Sequence, residues 1–130
     1  MNNNFVIDAS AWVEYFNGTD SGENVKEIVE NHNNKIYTNL ITIAELSSYF
    51  KRKNFDFRES KQIILGLSSI FTIDLEFAQM AGEEHAKIKQ EIKNISLADI
   101  FVYLTAKKLS ATIVTGDNDF RGLKNVFMIQ

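Results

Sequence analysis

Short apolar runs alternate along this chain with longer segments whose apolar residues recur every three or four positions. Phe5-Val6-Ile7 is the first run; it ends on Asp8 and reads as a buried strand. A helical pattern follows, with Trp12, Val13 and Phe16 on one side, and Asn17-Gly18-Thr19-Asp20 interrupts it. Asp20 or Ser21 is placed to cap the next helix, which carries Val25, Ile28 and Val29 at helical spacing. Lys35-Ile36-Tyr37-Thr38 reads as a second strand, and a helix is expected from Leu40 to about Lys53. Another should start near Arg58 and hold Ile63, Ile64 and Leu67. Ile70-Phe71-Thr72-Ile73 alternates and predicts a third strand. A long amphipathic helix is expected from Leu75 to about Ile92, and Ser96 opens one that reaches about Leu109. Thr112-Ile113-Val114-Thr115 and Val126-Phe127-Met128-Ile129 complete the set as strands. Strands alternating with helices imply an α/β fold with a mostly parallel sheet.

Composition narrows the function classes. The chain has 130 residues, the length of one ordinary domain, and is read as a single domain over residues 1–130. It is 45% hydrophobic and 24% charged, which suits a soluble globular protein rather than a disordered one. A formal charge of −3 lacks the basic excess of a non-specific nucleic-acid binder. Bound metal changes that local balance, so an enzyme acting on nucleic acid stays open. The absence of cysteine excludes disulfides, thiolate zinc sites and cysteine nucleophiles, and suits a reducing compartment. No apolar run approaches the ~20 residues of a membrane span. Met1-Asn2-Asn3-Asn4 lacks the basic start of a signal peptide, so the expected location is cytoplasmic. No proline breaks the helices.

Four acidic residues stand in unusual places. Asp8 follows the first strand directly, and Asp117 follows the fourth across Gly116. Glu45 lies near a helix start within Ile41-Thr42-Ile43-Ala44-Glu45-Leu46, and Asp99 near another within Ser96-Leu97-Ala98-Asp99-Ile100-Phe101-Val102. If the strands are parallel, their carboxyl ends share one edge with the starts of the returning helices. That edge is where open α/β sheets bind ligands. The helix of Asp99 is apolar nearly all round, which predicts burial, and a buried unpaired charge costs several kcal/mol. Two carboxylates about 4 Å apart repel by roughly 4 kcal/mol at an effective dielectric of 20. Four together therefore need a cation, and oxygen ligands suit Mg²⁺ or Mn²⁺.

Each acid also has a plainer explanation. Asp8 is placed to cap the helix after it, with Ser10 an alternative cap. Glu45 can pair with a Lys or Arg of a neighbouring helix. Asp99 can complement the first turn of its own helix. Asp117 and Asp119 in Gly-Asp-Asn-Asp can be simple turn residues. For all four explanations to hold at once, each acid needs a separate cause.

At these residues the sequence resembles the PIN-domain ribonucleases, in particular the VapC-type toxins of toxin–antitoxin pairs. The resemblance is carried by Phe5-Val6-Ile7-Asp8-Ala9-Ser10, by Thr42-Ile43-Ala44-Glu45-Leu46, and by Ser96-Leu97-Ala98-Asp99 followed by Thr115-Gly116-Asp117-Asn118-Asp119-Phe120. It spans nearly the whole chain. It implies a three-layer α/β/α sandwich in which Asp8, Glu45, Asp99 and Asp117 form the catalytic group on Mg²⁺ or Mn²⁺. Asp8 and Asp99 would be the principal metal ligands, with Asp117 and Glu45 completing the shell. Asp119 looks like the auxiliary acid of the last motif, and Ser10 and Thr115 resemble supporting hydroxyls. The resemblance also implies RNA as substrate, a homodimer, and a small antitoxin protein that blocks the site. Ile100 departs from the pattern, since a small residue often follows that Asp.

The densest basic run, Lys51-Arg52-Lys53, is either an RNA backbone contact or a solvated helix end. Lys87, Lys89 and Lys93 pose the same choice. Trp12, Tyr15, Phe16, Tyr49 and Phe50 serve either the core or a partner groove. Signatures of dinucleotide binding, of a phosphate-binding loop and of a serine-hydrolase elbow are absent. Three rivals are a receiver-like phospho-acceptor domain, a non-catalytic PIN-like binding module and a nuclease acting on DNA. Adjacent acids after the first strand would mark the receiver, whereas Asp8 stands alone.

Overall fold

Five of the apolar runs pair into one sheet, and every pairing is parallel. The computed structural model describes residues 2–130. The strands are β1 (Asn4–Ile7), β2 (Lys35–Asn39), β3 (Ser69–Phe71), β4 (Thr112–Thr115) and β5 (Val126–Met128), in the spatial order β3-β2-β1-β4-β5. The register sets Val6 opposite Tyr37 on one side and Ile113 on the other. The sheet is thus wholly parallel, as the alternation of element types implies.

Side-chain alternation gives the sheet two apolar faces. On one face Ile7, Ile36 and Val114 pack against Trp12 of α1 (Ala9–Asn17), Val25 and Val29 of α2 (Asp20–Val29), Leu46 of α3 (Leu40–Arg52) and Ile64 of α4 (Arg58–Leu67). On the other face Val6 and Ile113 meet Val102 and Ala106 of α6 (Leu97–Leu109). Ile100 and Leu104 of α6 pack outward on Phe77 and Ala81 of α5 (Leu75–Ile88). Helix α6 therefore has a sheet on one side and a helix on the other, which is why its sequence is apolar nearly all round. The result is the α/β/α sandwich.

Local rules place most boundaries. Gly18 ends α1 in the left-handed region at φ 67°. Thr19, rather than Asp20 or Ser21, caps α2: its Oγ1 accepts the Gly22 N–H at 3.0 Å. β3 ends at Phe71, short of Ile73, because its partner β2 ends at the facing Asn39 and offers no further backbone. α5 ends at Ile88, short of Ile92, where the chain turns toward α6 and Lys89 Nζ donates to the Lys93 carbonyl at 2.9 Å. α5 and α6 form an antiparallel pair. Phe77 at the start of α5 lies 6.0 Å from the ring of Phe101, and the ring of His85 near its end reaches the Ile95 carbonyl. A 3₁₀ turn, Asn118–Gly122, follows β4 and was not indicated by periodicity.

The start of α2 lies hard against α1. A Cβ added to Gly22 would sit 2.1 Å from the Glu14 carbonyl oxygen, so backbone would have to move. Gly22→Ala is expected to destabilise the fold by about 1–3 kcal/mol. Thermal melts check this; an unchanged midpoint would mean the two helices separate without penalty.

Candidate metal centre

β1 and β4 are neighbours in the sheet, yet β2 lies on the other side of β1. The chain order therefore reverses between β1 and β4, and a crevice opens at their carboxyl ends. Asp8 leaves β1 and Thr115-Gly116-Asp117 leaves β4 at this point. The start of α6 brings Asp99 to the same edge, and α3, which begins directly after β2, brings Glu45.

Asp8 occupies the N-cap position of α1, but its side chain makes no capping hydrogen bond. Its Oδ2 instead accepts from Ser10 Oγ at 2.9 Å and from Thr115 Oγ1 at 2.8 Å. Those hydroxyls are fixed in turn: Ser10 Oγ accepts the Gly116 N–H and Thr115 Oγ1 accepts the Asp117 N–H, both at 3.0 Å. Burial pushes the Asp8 carboxyl up to about 6, against the lowering effect of the two hydroxyls, and the charge of Asp99 adds to the rise. The capping explanation of Asp8 thus holds for its backbone and fails for its carboxylate.

Asp99 does both jobs. It completes a capping box with Ser96, accepting the Ser96 N–H at 3.0 Å on Oδ2 while Ser96 Oγ accepts its own N–H. Burial still raises its pKa, the Ser96 bonds oppose that, and Asp117 and Asp119 raise it further. Asp117 also has a local role, since its Oδ1 accepts the Asp119 N–H at 2.9 Å and starts the 3₁₀ turn. That turn sets Asp117 and Asp119 side by side. One carboxylate oxygen from each of Asp99, Asp117 and Asp119 lies within 4.8 Å of the others. The tightest group therefore contains Asp119 and leaves out Asp8.

Glu45 belongs to the exposed residues, yet its carboxyl lies close enough to Asp8, Asp99 and Asp117 to feel their charges. Desolvation, then the charges of Asp8, Asp99 and Asp117, push it up to about 7. Among the described residues the one ion pair is Arg58–Asp56, on the surface, so no basic residue neutralises the crevice. The basic run Lys51-Arg52-Lys53 closes the far end of α3, away from the edge where that helix starts. Trp12 and Phe50 are buried, which settles them as core, while Phe55 is 56% exposed.

The three close carboxylates of Asp99, Asp117 and Asp119, with no cationic partner, form an all-oxygen donor set. Such a set fits a hard divalent cation of the Mg²⁺ or Mn²⁺ kind. Two buried polar residues near the site carried no sequence signal: Asn39 at the end of β2 and Thr105 within α6. Asn39 lies one residue past the strand pattern that ends at Thr38, and Thr105 is a polar residue in a largely apolar helix; neither position announces burial.

A sequence model of the PIN domain matches residues 5–126. The chain matches no curated protein sequence. Among solved structures it is similar to the Mycobacterium tuberculosis VapC20 toxin, described as cleaving the sarcin-ricin loop, at TM-score 0.74, 13% identity, and 94% and 96% coverage of this chain and that one. It is also similar to FitAcB from Neisseria gonorrhoeae at TM-score 0.72 and 24% identity, covering 96% and 97%. A toxin–antitoxin complex from Klebsiella pneumoniae gives TM-score 0.72 and 21% identity over 96% and 97%. With the match running over residues 5–126, from the first strand to the start of the last, the chain belongs to the PIN domain family.

Proposed function

We propose that this chain is a Mg²⁺- or Mn²⁺-dependent endoribonuclease, a single PIN domain over residues 1–130, acting as the toxin of a toxin–antitoxin pair. The observation that carries the reading is the crevice itself. Asp8, Glu45, Asp99, Asp117 and Asp119 share one sheet edge without a basic partner. Membership of the PIN family and the likeness to toxins support it. On this reading the chain pairs with a second copy, is blocked by a cognate antitoxin protein and works in the cytoplasm.

Asp99, Asp117 and Asp119 would hold the cation, with Asp8 beside them and Glu45 completing its shell through water. When bound, it supplies Lewis-acid polarisation of the scissile phosphate and a lower pKa for an attacking water. Ser10 and Thr115 keep the Asp8 carboxylate in one orientation by holding Oδ2 from two sides. Glu45, pushed up to about 7 by desolvation and then by the neighbouring acids, would accept the proton of the attacking water on a carboxylate oxygen. The water oxygen would bond to phosphorus as the bond to the leaving ribose oxygen breaks, and that oxygen would take its proton from solvent. No covalent protein intermediate is needed.

Purified protein incubated with a mixed RNA pool is expected to cleave it with Mn²⁺ or Mg²⁺ and to stop when EDTA is added. Metal binding without cleavage would indicate a narrow RNA target. Neither binding nor cleavage would move the assignment to a non-catalytic module.

A further inference from the structure

The acids on α3 and α6 repel one another, so something must hold those helices together across the crevice. Asn39 and Thr105 are both fully buried. Asn39 Oδ1 accepts the Ile41 N–H at 2.7 Å and so caps α3. Its Nδ2 donates to Thr105 Oγ1 at 2.7 Å and reaches the Phe101 carbonyl at 3.5 Å. Thr105 Oγ1 donates onward to the Phe101 carbonyl at 2.7 Å. Each hydrogen-bonding group of this pair is used, as burial requires. Among the described residues no other hydrogen bond joins the start of α3 to α6.

Along the two helices this tie lies close to the acids. Glu45 sits under two turns beyond the cap, and Asp99 under two turns before Thr105, at 3.6 residues per turn. Resting on the metal-site reading above, we propose that Asn39 and Thr105 are positioning residues. Their bond fixes the start of α3 against α6 and thereby sets the spacing of Glu45 from Asp99 on which cation binding depends. Neither touches metal or substrate.

The test uses Thr105→Val, which keeps shape and removes the hydroxyl, with Thr105→Ser as the conservative rescue. Asn39→Ser, which retains a capping oxygen but is too short to reach Thr105, gives the same test from the other partner. Mn²⁺ affinity is measured by calorimetry. Because the chain has no cysteine, spin labels at Ser48→Cys and Lys107→Cys report the α3–α6 distance without metal. Thr105→Val and Asn39→Ser are expected to bind Mn²⁺ about 10-fold more weakly, the low end of the losses that follow when the support of a metal shell is removed. Both should broaden the label distance and lower kcat with KM little changed, and Thr105→Ser should restore all three. A Thr105→Val protein with wild-type Mn²⁺ affinity and label distance, whatever its melting point, overturns the proposal. If wild type itself binds no Mn²⁺ while the label distance still widens in the variants, the metal-site reading fails and the mechanical tie stands.

Discussion

Asp99→Asn is expected to abolish metal-dependent RNA cleavage, by at least about 10³-fold, while the protein folds as before. That loss equals roughly 4 kcal/mol of barrier. The amide oxygen can still accept the Ser96 N–H, and Ser96 Oγ still accepts the backbone N–H of residue 99. The capping box therefore survives, and with it the start of α6. What disappears is one negative charge from the group formed with Asp117 and Asp119. Cleavage assays beside circular dichroism melts separate the two effects. A variant that still cleaves within tenfold of wild type, and still needs metal, would remove Asp99 from the site.

Metal-free wild type should melt below Asp8→Asn at pH 7.5, with the difference vanishing near pH 4. The folded protein raises the Asp8 carboxyl from an ordinary 3.8 to about 6. For an acid raised in this way, the stability tied to the protonated form is fully present below about pH 3.8 and is gone once pH passes about 6. The shift corresponds to roughly 3 kcal/mol at neutral pH, or roughly 10 °C for a chain of this size. Glu45, pushed to about 7, acts in the same direction. An asparagine removes the charge and keeps an oxygen for Ser10 and Thr115. Adding Mn²⁺ should reverse the order, since the cation favours ionised acids and only wild type carries the full set. Equal melting of the two proteins in EDTA at both pH values would sink this account.

The sandwich was readable in the sequence because its parallel strands are short apolar runs and its amphipathic helices repeat at 3.6 residues. The convergence of acids was readable because strand ends and returning helices share an edge. The family resemblance pointed to the same positions, and the PIN match supports it. Where reading failed, the deciding fact was tertiary. Ile73 has β character, yet β2 offers it no partner. Ile92 continues the α5 pattern, yet the chain must turn back toward α6. The closeness of Asp119 to Asp99 and Asp117 depends on a 3₁₀ turn that five residues cannot announce. Asn39 and Thr105 look like ordinary polar residues until the fold buries them together.

The bond between Asp8 and Thr115 joins residues 107 positions apart in the chain. Contacts this distant close late, after local helices and hairpins have formed, and synthesis delivers the amino end first. A growing chain that has not yet made β4 already contains Asp8, Glu45 and Asp99. It lacks Thr115, which orients Asp8, as well as Asp119 of the 3₁₀ turn and Asp117, which caps it. The crevice is thus completed only when the chain is nearly whole, and a half-made copy lacks the full set of acids that the proposed activity requires.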